Sequence, residues 1–470
     1  MSVTENVVNF NSLETETFRG VCRLGCELLQ QALEMYDLEL SMSRDKSVYI
    51  TKDIRQTTIK TVMGEVSYYR RMYEVEGEDG TKKYVYLLDE AMGIGGTGFY
   101  SELLSGMIAK AACDSSYRAT ARAVSELTGQ TISHTAAWKV VQRLGERIDS
   151  QEAEAAVLAA KNKGKGTLEP PLLFEEMDGI WLNLQGKDRK KHGKSKEMKV
   201  AIAYDGAEKT GKKRYRLTNK VATANFETAK RFRRRKEGAI AATYNVDEID
   251  NRFVNGDGAT WIKDSRIDET VQLQLDAFHR NKAIIQYVAD PEARKVLFKL
   301  LYTKQTDLLL DAIEAYSNST EDEKVRDNYL KLFTYFQNNK EGLIPCHRRG
   351  LNIPEPPEGK VYRHLGAMES NIFTIIGNRM KGGRACWSIK GGNNLARLLC
   401  LKTTGKLAET LRSLSTMVLP ERYAEEIEVK MSVAKVPLRE GKGYNGFHQM
   451  TVSSAMPWLK DIAALRPLSA

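Results

Sequence analysis

The sequence predicts a multidomain α/β protein, in which a mixed-sheet core with an all-α insertion follows an N-terminal region of helices and a small β sheet. The chain has 470 residues, and typical domains span roughly 100 to 200 residues. Its apolar pattern changes several times between helical and period-two spacing. A group of strand-like runs between Leu172 and Ile262 is followed by a segment that is helical nearly throughout. These three observations predict several units with one mixed sheet.

The composition is that of a folded globular protein, with 42% hydrophobic and 28% charged residues. No apolar run approaches the roughly 20 residues that span a bilayer, and the N-terminus is polar and acidic, so no membrane anchor or signal peptide is expected. The six cysteines form no CxxC pair, which is typical of a reducing compartment. No Cys or His pair stands near Cys22 and Cys26 to complete a zinc site. We therefore expect a cytoplasmic protein.

The N-terminal region divides into three predicted parts. Residues 1–45 contain a long amphipathic helix, which either packs within its own domain or pairs with a second copy. Residues 46–98 alternate apolar and polar side chains around the turn sequence GEDG, which predicts a small antiparallel hairpin or sheet. Residues 99–160 contain two helices separated by a tight turn at Gly129 and Gln130, which is helix-turn-helix spacing.

The second helix of this pair is a candidate DNA-reading element. Ser133 can cap its N-terminus. A predicted buried stripe consists of Ala137, Val140, Val141 and Leu144. The side chains left to face a DNA groove are those of His134, Thr135, Lys139 and Arg143. Helical hairpins are also common in proteins that never touch DNA, so it is the position of this one before a basic segment that favours DNA binding.

The pattern of residues 170–400 predicts the mixed-sheet core and its helical insertion, and a tail follows. Residues 170–275 contain the strand-like runs LLFEEMDGIWLNLQ, EMKVAIAYDGA and KRYRLTNKVA, then a helix of mixed charge, then the strand-like run RFVNGDGATWI. Residues 276–360 are helical up to a proline-rich stretch, residues 361–400 contain a further helix, and residues 401–470 form a mixed, mostly helical tail. Three strands, a helix and a fourth strand, followed by an all-α insertion, are the order of an RNase H-like catalytic core.

Positive charge is concentrated at the start of this core. Lys and Arg number 71 against 61 Asp and Glu, a net charge of +10. From Gly186 to Lys236 the chain has 19 basic and 5 acidic residues, so this stretch alone carries 19 − 5 = +14. Such a concentration suits a phosphate backbone, because each neutralised phosphate releases condensed counterions. A solvated charged face is the alternative.

Three carboxylates stand out by their positions. Asp178 lies within the apolar strand FEEMDGIWL, Asp257 ends a strand between two glycines, and Glu369 begins a helix. Together they form the oxygen-ligand set that hard divalent cations prefer. Two such ions, about 3.5 to 4 Å apart, can clamp the attacking and leaving oxygens of a phosphodiester. We therefore predict that Asp178, Asp257 and Glu369 bind two ions of Mg²⁺, or Mn²⁺, and catalyse phosphoryl transfer.

With these residues the chain resembles DDE transposases, from about Ser47 to Arg397. The motifs that carry the resemblance are MDGIWL, NGDGATWI, LDAFHRNK and GAMESNIFTIIGNRMKGGRACWS. Together they are similar to those of the ISLre-type family of bacterial insertion-sequence transposases, which are relatives of the Mutator-like group. That group has a helical insertion between its second Asp and its Glu, and an Asp or Cys followed after two residues by His. The gap from Asp257 to Glu369 and the pair Asp276 and His279 match these features.

The resemblance implies an enzyme that cuts insertion-sequence ends with a metal-activated water and transfers the freed 3′ hydroxyl to target DNA. It implies a supporting role for His279 near the scissile phosphate. The chain departs from the tyrosine, arginine, glutamate, lysine signature of some other transposases, because Arg363 and Lys381 lie at other spacings from Glu369. Trp387 either stacks on an unpaired DNA base or packs in the protein interior. Outside the helix-turn-helix, the expected DNA contacts are Arg233, Arg234, Arg235, Lys381 and Arg384.

The expected partners are double-stranded DNA, both as terminal inverted repeats and as target, and a second copy of the chain. Two DNA ends must be brought together, so a homodimer or larger assembly is expected on DNA, and the protein should be nucleoid-associated. Two alternatives stay open. One is a metal-dependent nuclease or resolvase that cuts without joining, and the other is a domesticated DNA-binding regulator without catalysis.

Overall fold

A computed structural model describes residues 9–77, 80–93, 100–163, 165–264, 270–415, 420–423 and 425. The chain has a mixed α/β fold, as predicted, and divides into two units. The first unit comprises Met1–Val140 and Leu411–Ala470, and the second comprises Val141–Thr410. Most of the predicted tail, residues 401–470, lies outside the described residues. Within the described part of the chain, no helix is long and apolar enough to cross a membrane.

The first unit contains a long helix packed on a three-stranded antiparallel sheet of order β1-β2-β3. Its elements are α1 (Phe10–Ser43), β1 (Ile50–Lys60), β2 (Glu65–Glu76), β3 (Lys82–Val85), α2 (Leu87–Ala91), α3 (Glu102–Asp114), α4 (Tyr117–Thr128) and the beginning of α5 (His134–Ala160). Leu33 of α1 shares a buried cluster with Ile59, Val66 and Tyr68 of the sheet. This sheet is the small β region that period-two spacing predicts.

Two helices joined by a tight turn are present where the sequence predicts them. Helix α4 ends at Gly129, whose φ of +67° is a conformation that glycine adopts without strain. The side chain of Ser133 accepts a hydrogen bond of 3.1 Å from the Ala136 amide at the start of α5. The predicted stripe of Ala137, Val140, Val141 and Leu144 is buried. The use of this hairpin as a DNA-binding helix-turn-helix stays a prediction.

The second unit is built on a five-stranded sheet of order β10-β9-β4-β5-β8. Its strands are β4 (Leu172–Asn183), β5 (Ser195–Tyr204), β8 (Val221–Asn225), β9 (Asn251–Gly256) and β10 (Val271–Leu275), and a separate hairpin consists of β6 (Ala207–Gly211) and β7 (Arg214–Leu217). Strand β5 runs antiparallel to β4 and β8, whereas β9 runs parallel to β4 and β10.

Two sequence expectations about this sheet are wrong in detail. The run KRYRLTNKVA does not form one strand: its first half is β7 in the separate hairpin, and its end begins β8 in the central sheet. Lys212 and Lys213 turn the chain between β6 and β7, and Asn219, with φ of +50°, breaks the run before β8. The fifth strand, β10, was not predicted, although VQLQL alternates apolar and polar side chains as a strand does.

Helices cover the sheet and form the insertion. The helices that follow or connect these strands are α6 (Gly186–His192), α7 (Ala229–Ala241), α8 (Thr260–Lys263), α13 (Met368–Ile372), α14 (Asn378–Met380) and α15 (Ile389–Thr403), with a π-helical turn at Phe373–Gly377 between α13 and α14. Helix α16 (Leu407–Ser413) crosses the boundary between the two units. The insertion consists of α9 (Ala277–Tyr287), α10 (Pro291–Tyr302), α11 (Thr306–Ser319) and α12 (Glu323–Gln337). These four helices share one buried cluster that includes Ile284, Leu297, Leu309 and Phe336, as the helical pattern predicts.

Candidate active site

Asp178 lies on the central strand β4, where side chains alternate between the two faces of the sheet. The next residue is Gly179, and a Cβ there would meet the side-chain carboxylate of Glu197 on β5, which would have to move aside. The Gly179 amide also donates a hydrogen bond of 2.7 Å to Asp178 Oδ1. The sequence MDG therefore places the Asp178 carboxylate on the middle strand of the sheet.

Asp257 follows the end of β9, the strand parallel to β4. A Cβ at Gly256 would lie 3.0 Å from the Met177 carbonyl oxygen, so glycine allows this turn to approach β4. Gly258 has φ of +86°. The Asp257 carboxylate accepts a hydrogen bond from the Ala259 amide (2.9 Å), and its backbone carbonyl accepts one from the Tyr335 hydroxyl of α12 (2.8 Å). The insertion thus helps to hold this turn.

Asp276 and His279 form a pair at the start of α9. The Asp276 carboxylate caps the helix by accepting hydrogen bonds from the amides of Phe278 (3.0 Å) and His279 (3.1 Å). The same oxygen lies 3.2 Å from His279 Nδ1. Since Nδ1 is engaged there, Nε2 is the ring nitrogen that remains for another partner. That nitrogen lies 3.8 Å from Glu369 Oε1.

Asp178, His279 and Glu369 form a group of potential metal ligands. Each offers one ligand atom, and these atoms all lie within 4.8 Å of one another. Asp257 lies outside this group, although its charge acts on both Asp178 and His279. The roles predicted for these four residues stay predictions, and the structure brings three of them to one place.

The electrostatics of this group favour a bound cation. Burial raises the pKa of Asp178 to about 6, and the charges of Asp257 and Glu369 add to the rise. The hydrogen bond to Asp276 raises the pKa of His279, and the charges of Asp178 and Asp257 also contribute. Because the carboxylates repel one another, a divalent cation bound among them would relieve the site. The carboxylate oxygens of Asp178 and Glu369 suit Mg²⁺ or Mn²⁺, whereas an imidazole nitrogen is a more usual ligand of transition metals such as Zn²⁺ or Fe²⁺.

The side chains predicted to contact DNA lie mostly at the surface. Exposed members are His134, Thr135, Lys139, Arg234, Lys381 and Arg384, and half-buried members are Arg143, Arg233 and Arg235. Arg233 donates to the Asp264 carbonyl (2.5 Å), and Arg235 donates to the carbonyl (2.8 Å) and carboxylate (2.7 Å) of Asp149. Arg235 is thus already engaged within the protein, and a DNA contact by any of these residues stays a prediction.

Trp387 packs inside the second unit. It is 7% exposed, and its indole nitrogen donates a hydrogen bond of 2.9 Å to the Met380 carbonyl. The guanidinium of Arg379 lies 5.4 Å from the centre of its ring. Of the two interpretations that the sequence leaves open for Trp387, these contacts favour packing over stacking on a base.

Two buried polar residues at the site were missed in the sequence. Glu176 is fully buried two positions before Asp178, and Asn255 is 1% exposed two positions before Asp257. They hydrogen-bond to each other at 3.2 Å. The signal that could have drawn attention to Glu176 is the number of acids in FEEMDGIWL, since three carboxylates in one apolar strand require partners.

The comparisons with known proteins give a family and several relatives. The family model described as uncharacterised protein family UPF0236 matches residues 3–414. The chain is 25% identical, over 84% of its length and 84% of the relative's, to a UPF0236 protein in the vanSb 3′ region of Streptococcus gallolyticus. It is 22% identical to a UPF0236 protein of Caldanaerobacter subterraneus subsp. tengcongensis, over 99% of the chain and 93% of the relative.

Among solved structures, a match is found to a chain of the Drosophila P element transposase strand transfer complex. The sequence identity is 13%, and the match covers 81% of this chain and 95% of that chain. Its TM-score is 0.23, which is too low for the likeness to carry an argument about fold or reaction.

Proposed function

The chain belongs to the uncharacterised protein family UPF0236, and we propose that it is a DDE transposase of the ISLre insertion-sequence type. In this proposal it cleaves DNA at the ends of an insertion sequence and joins the freed 3′ hydroxyl to target DNA. Its partners are terminal inverted repeats, target DNA and a second copy of the chain. It acts in the cytoplasm at the nucleoid.

The observation that carries the proposal is the meeting of Asp178, His279 and Glu369. They come from a central strand, the first insertion helix and a helix far along the chain, yet their ligand atoms lie within 4.8 Å of one another. Folding would not gather them for stability alone, because the burial that raises the pKa of Asp178 also opposes its charge. Such groups are characteristic of functional sites.

The strand order supports the same proposal. Three antiparallel strands, β4, β5 and β8, are followed by two strands that run parallel to β4 on its other side. This order agrees with the proposed RNase H-like core, and it puts Asp178, on the first strand, and Asp257, after the fourth, on neighbouring strands. The helical insertion between Asp257 and Glu369 also agrees with it.

A relative adds an independent kind of support. One UPF0236 protein of Caldanaerobacter subterraneus subsp. tengcongensis has a name that combines eleven labels of the same form. The chain is 22% identical to it over 99% of its own length. A sequence found at many loci of one genome is what a mobile element produces, and neither a resolvase nor a regulator requires it.

Each predicted residue has a role in this reaction. Asp178, Asp257 and Glu369 would hold two Mg²⁺ or Mn²⁺ ions, which would activate the attacking water or 3′ hydroxyl and stabilise the leaving oxygen. His279, held by Asp276, would support Glu369 beside the scissile phosphate. Helix α5 would read the DNA sequence, and the basic segment Gly186–Lys236 would neutralise backbone phosphates.

The experiment that tests the proposal is a strand-transfer assay. A labelled duplex that carries an end sequence found beside the gene is incubated with the protein and a supercoiled target, in Mg²⁺ or in EDTA. We expect nicked and joined products in Mg²⁺, and neither in EDTA or with Asp257→Ala. Glu292→Gln, at an exposed carboxylate of the insertion, is the matched control and should act as the unchanged protein does.

The assay also separates the two alternatives. Nicking without joined products, even on a precleaved 3′ hydroxyl end, would replace the transposase with a nuclease or resolvase. Binding without nicking in either Mg²⁺ or Mn²⁺ would leave a regulator without catalysis.

A further inference from the structure

The helix that carries Glu369 begins without a cap of its own. Its N-cap residue is Ala367, which has no polar side chain to accept hydrogen bonds from the first amides of the helix. Gly366, with φ of +136°, turns the chain into the helix in a conformation that favours glycine. The amides of Gly366, Ala367 and Met368 therefore need an acceptor from elsewhere in the protein.

Glu176 of β4 supplies that acceptor. Its Oε2 accepts hydrogen bonds from the amides of Gly366 (2.9 Å) and Met368 (3.2 Å), and its Oε1 accepts one from the Ala367 amide (3.1 Å). The Tyr204 hydroxyl donates a further bond of 2.6 Å to Oε1. A carboxylate at a helix N-terminus is also favoured by the helix dipole. One side chain thus fixes both the position and the direction of the first turn, which includes Glu369.

Asn255 extends these contacts to the other elements of the site. Its amide nitrogen donates to Glu176 Oε2 (3.2 Å) and to Asp276 Oδ1 (3.0 Å), and its oxygen accepts from Gln274 (3.2 Å). Asp276 in turn holds His279. Asn255 also lies two positions before Asp257 on β9. A continuous set of hydrogen bonds therefore joins the strands of Asp178 and Asp257 to the helices of His279 and Glu369.

From these contacts we infer that Glu176 is a positioning residue that sets Glu369 against Asp178 and His279, and that Asn255 couples it to Asp276. The effect of Glu176 on catalysis rests on the proposed function. The structural part, a cap supplied by a strand to a distant helix, does not depend on which reaction the site performs. Neither residue touches the substrate in this role.

Glu175 provides a matched control. It is the adjacent residue on β4 and, like Glu176, is fully buried. Its side chain points to the opposite face of the sheet, where it pairs with Lys236 and with Arg252, whose Nε donates at 2.7 Å. Removing its charge leaves two buried cations with one partner fewer, so Glu175→Gln should destabilise the fold without touching the Glu369 helix.

Hydrogen exchange on the full chain tests the inference directly. In Glu176→Gln an amide group replaces one oxygen, so at least two donors would face an N–H group instead of an acceptor. We expect exchange at Gly366, Ala367 and Met368 to become about tenfold faster or more in this variant, and to be unchanged in Glu175→Gln. Equal exchange in wild type and Glu176→Gln, or equal acceleration in both variants, would overturn the inference.

Metal dependence gives the second readout. We expect Glu176→Gln to raise the Mn²⁺ concentration for half-maximal cleavage by roughly 10- to 100-fold, with much of the maximal rate recovered at high Mn²⁺. A merely destabilised protein would lose rate without this shift. If Glu176→Gln does not fold, Tyr204→Phe removes only one of the donors and should show the same two effects in weaker form, and their absence there counts against the inference. If the wild type binds no metal and cuts no DNA, the proposed function fails, while the exchange experiment still decides the role of Glu176.

Discussion

The Nε2 atom of His279 lies 3.8 Å from Glu369 Oε1, although helices α10 to α12 of the insertion separate the two residues in the chain. This approach brings an imidazole to the predicted metal carboxylates. Asp276 orients the imidazole for this contact, because its carboxylate interacts with Nδ1 and leaves Nε2 towards Glu369. The first prediction concerns what His279 contributes.

His279→Ala should weaken Mn²⁺ binding by roughly 10- to 100-fold, because the site loses either a ligand or the residue that orients one. Isothermal titration of the full chain with Mn²⁺ measures this change. His364→Ala is the matched control, since His364 is exposed and contacts His347 at a ring distance of 4.5 Å rather than the carboxylates. Equal affinities in the two variants would show that His279 has no part in the metal site.

Asp178→Asn should abolish cleavage and at the same time stabilise the metal-free protein at pH 8. Burial raises the pKa of Asp178 from its usual 3.8 to about 6. The folded state therefore holds the proton more tightly than the unfolded state, and the stability that Asp178 contributes is present below about pH 4 and lost as the pH rises through about 6. Asparagine carries no charge at either pH.

Thermal unfolding in EDTA measures this effect. We expect the variant to melt a few degrees above wild type at pH 8, and the difference to shrink towards pH 4. Addition of Mn²⁺ should raise the Tm of wild type and not that of the variant. If the variant melts below wild type at pH 8, the ionised Asp178 carboxylate stabilises the folded state, and the prediction is wrong.

Metal affinity should fall as the pH drops through about 6. A protonated Asp178 is not a ligand, and its pKa of about 6 places this loss near that pH. The pKa of His279 is raised as well, so its ring also gains a proton that metal must displace as the pH falls. Mn²⁺ titrations between pH 5 and 8 should show affinity that declines by up to about tenfold per pH unit for each proton displaced. An affinity that does not change over this range would contradict the ligand roles of both residues.

Gly145→Ala should destabilise the second unit, whereas Gly106→Ala should not. Both glycines lie inside helices, α5 and α3. A Cβ at Gly145 would stand 2.7 Å from the Cα of Asn394 on α15, while one at Gly106 would meet its nearest atom, on Leu411, at 3.9 Å. Overpacking at such a backbone contact costs about 1 to 3 kcal/mol, and alanine in an open helical position is favourable by roughly 0.5 to 1 kcal/mol.

Urea unfolding of the two variants, followed by circular dichroism, measures both changes. The prediction fails if Gly145→Ala unfolds at the same urea concentration as wild type, since α5 and α15 would then be free to move apart.

Arg234→Ala and Arg235→Ala should have different effects although the residues are neighbours on α7. Arg234 is exposed, so its loss should weaken DNA binding and reduce the salt slope by about one. Arg235 donates two hydrogen bonds to Asp149, and its loss should lower the free energy of unfolding by about 1 to 2 kcal/mol. Fluorescence anisotropy at several salt concentrations and denaturant unfolding distinguish the two. Loss of DNA binding on replacing Arg235, with unchanged stability, would reverse the assignment.

Parts of the site could be predicted because chain position alone limits them. An acid inside the apolar strand FEEMDGIWL must face something other than a hydrophobic core, so Asp178 is visible in the sequence. The pair Asp276 and His279 is expected from the family resemblance, and a spacing of three positions at the start of a helix is compatible with their contact. Both inferences are local, and the structure agrees with the placement of each.

Other features depend on contacts between distant segments and leave little trace in the sequence. Glu175 and Glu176 are identical in type and adjacent, yet one pairs with Lys236 and Arg252 and the other caps a helix that begins nearly 200 positions later. The π-helical turn at Phe373–Gly377 has an ordinary helical pattern. These features depend on contacts with segments distant in the chain, and the pattern of one segment carries no information about those contacts.

The helix cap that Glu176 provides is completed only late in the synthesis of the chain. Strand β4 leaves the ribosome long before Gly366, Ala367 and Met368 are added. A nascent chain therefore contains Glu176 before the three backbone amides that donate hydrogen bonds to it. A chain terminated between Asp257 and Gly366 would keep Asp178, Asp257 and the whole basic segment, but it would hold the buried Glu176 carboxylate with too few partners. Such a fragment would fold poorly and be open to proteolysis. If the proposed transposase function holds, such fragments would be degraded before they could occupy the DNA ends that the intact enzyme needs.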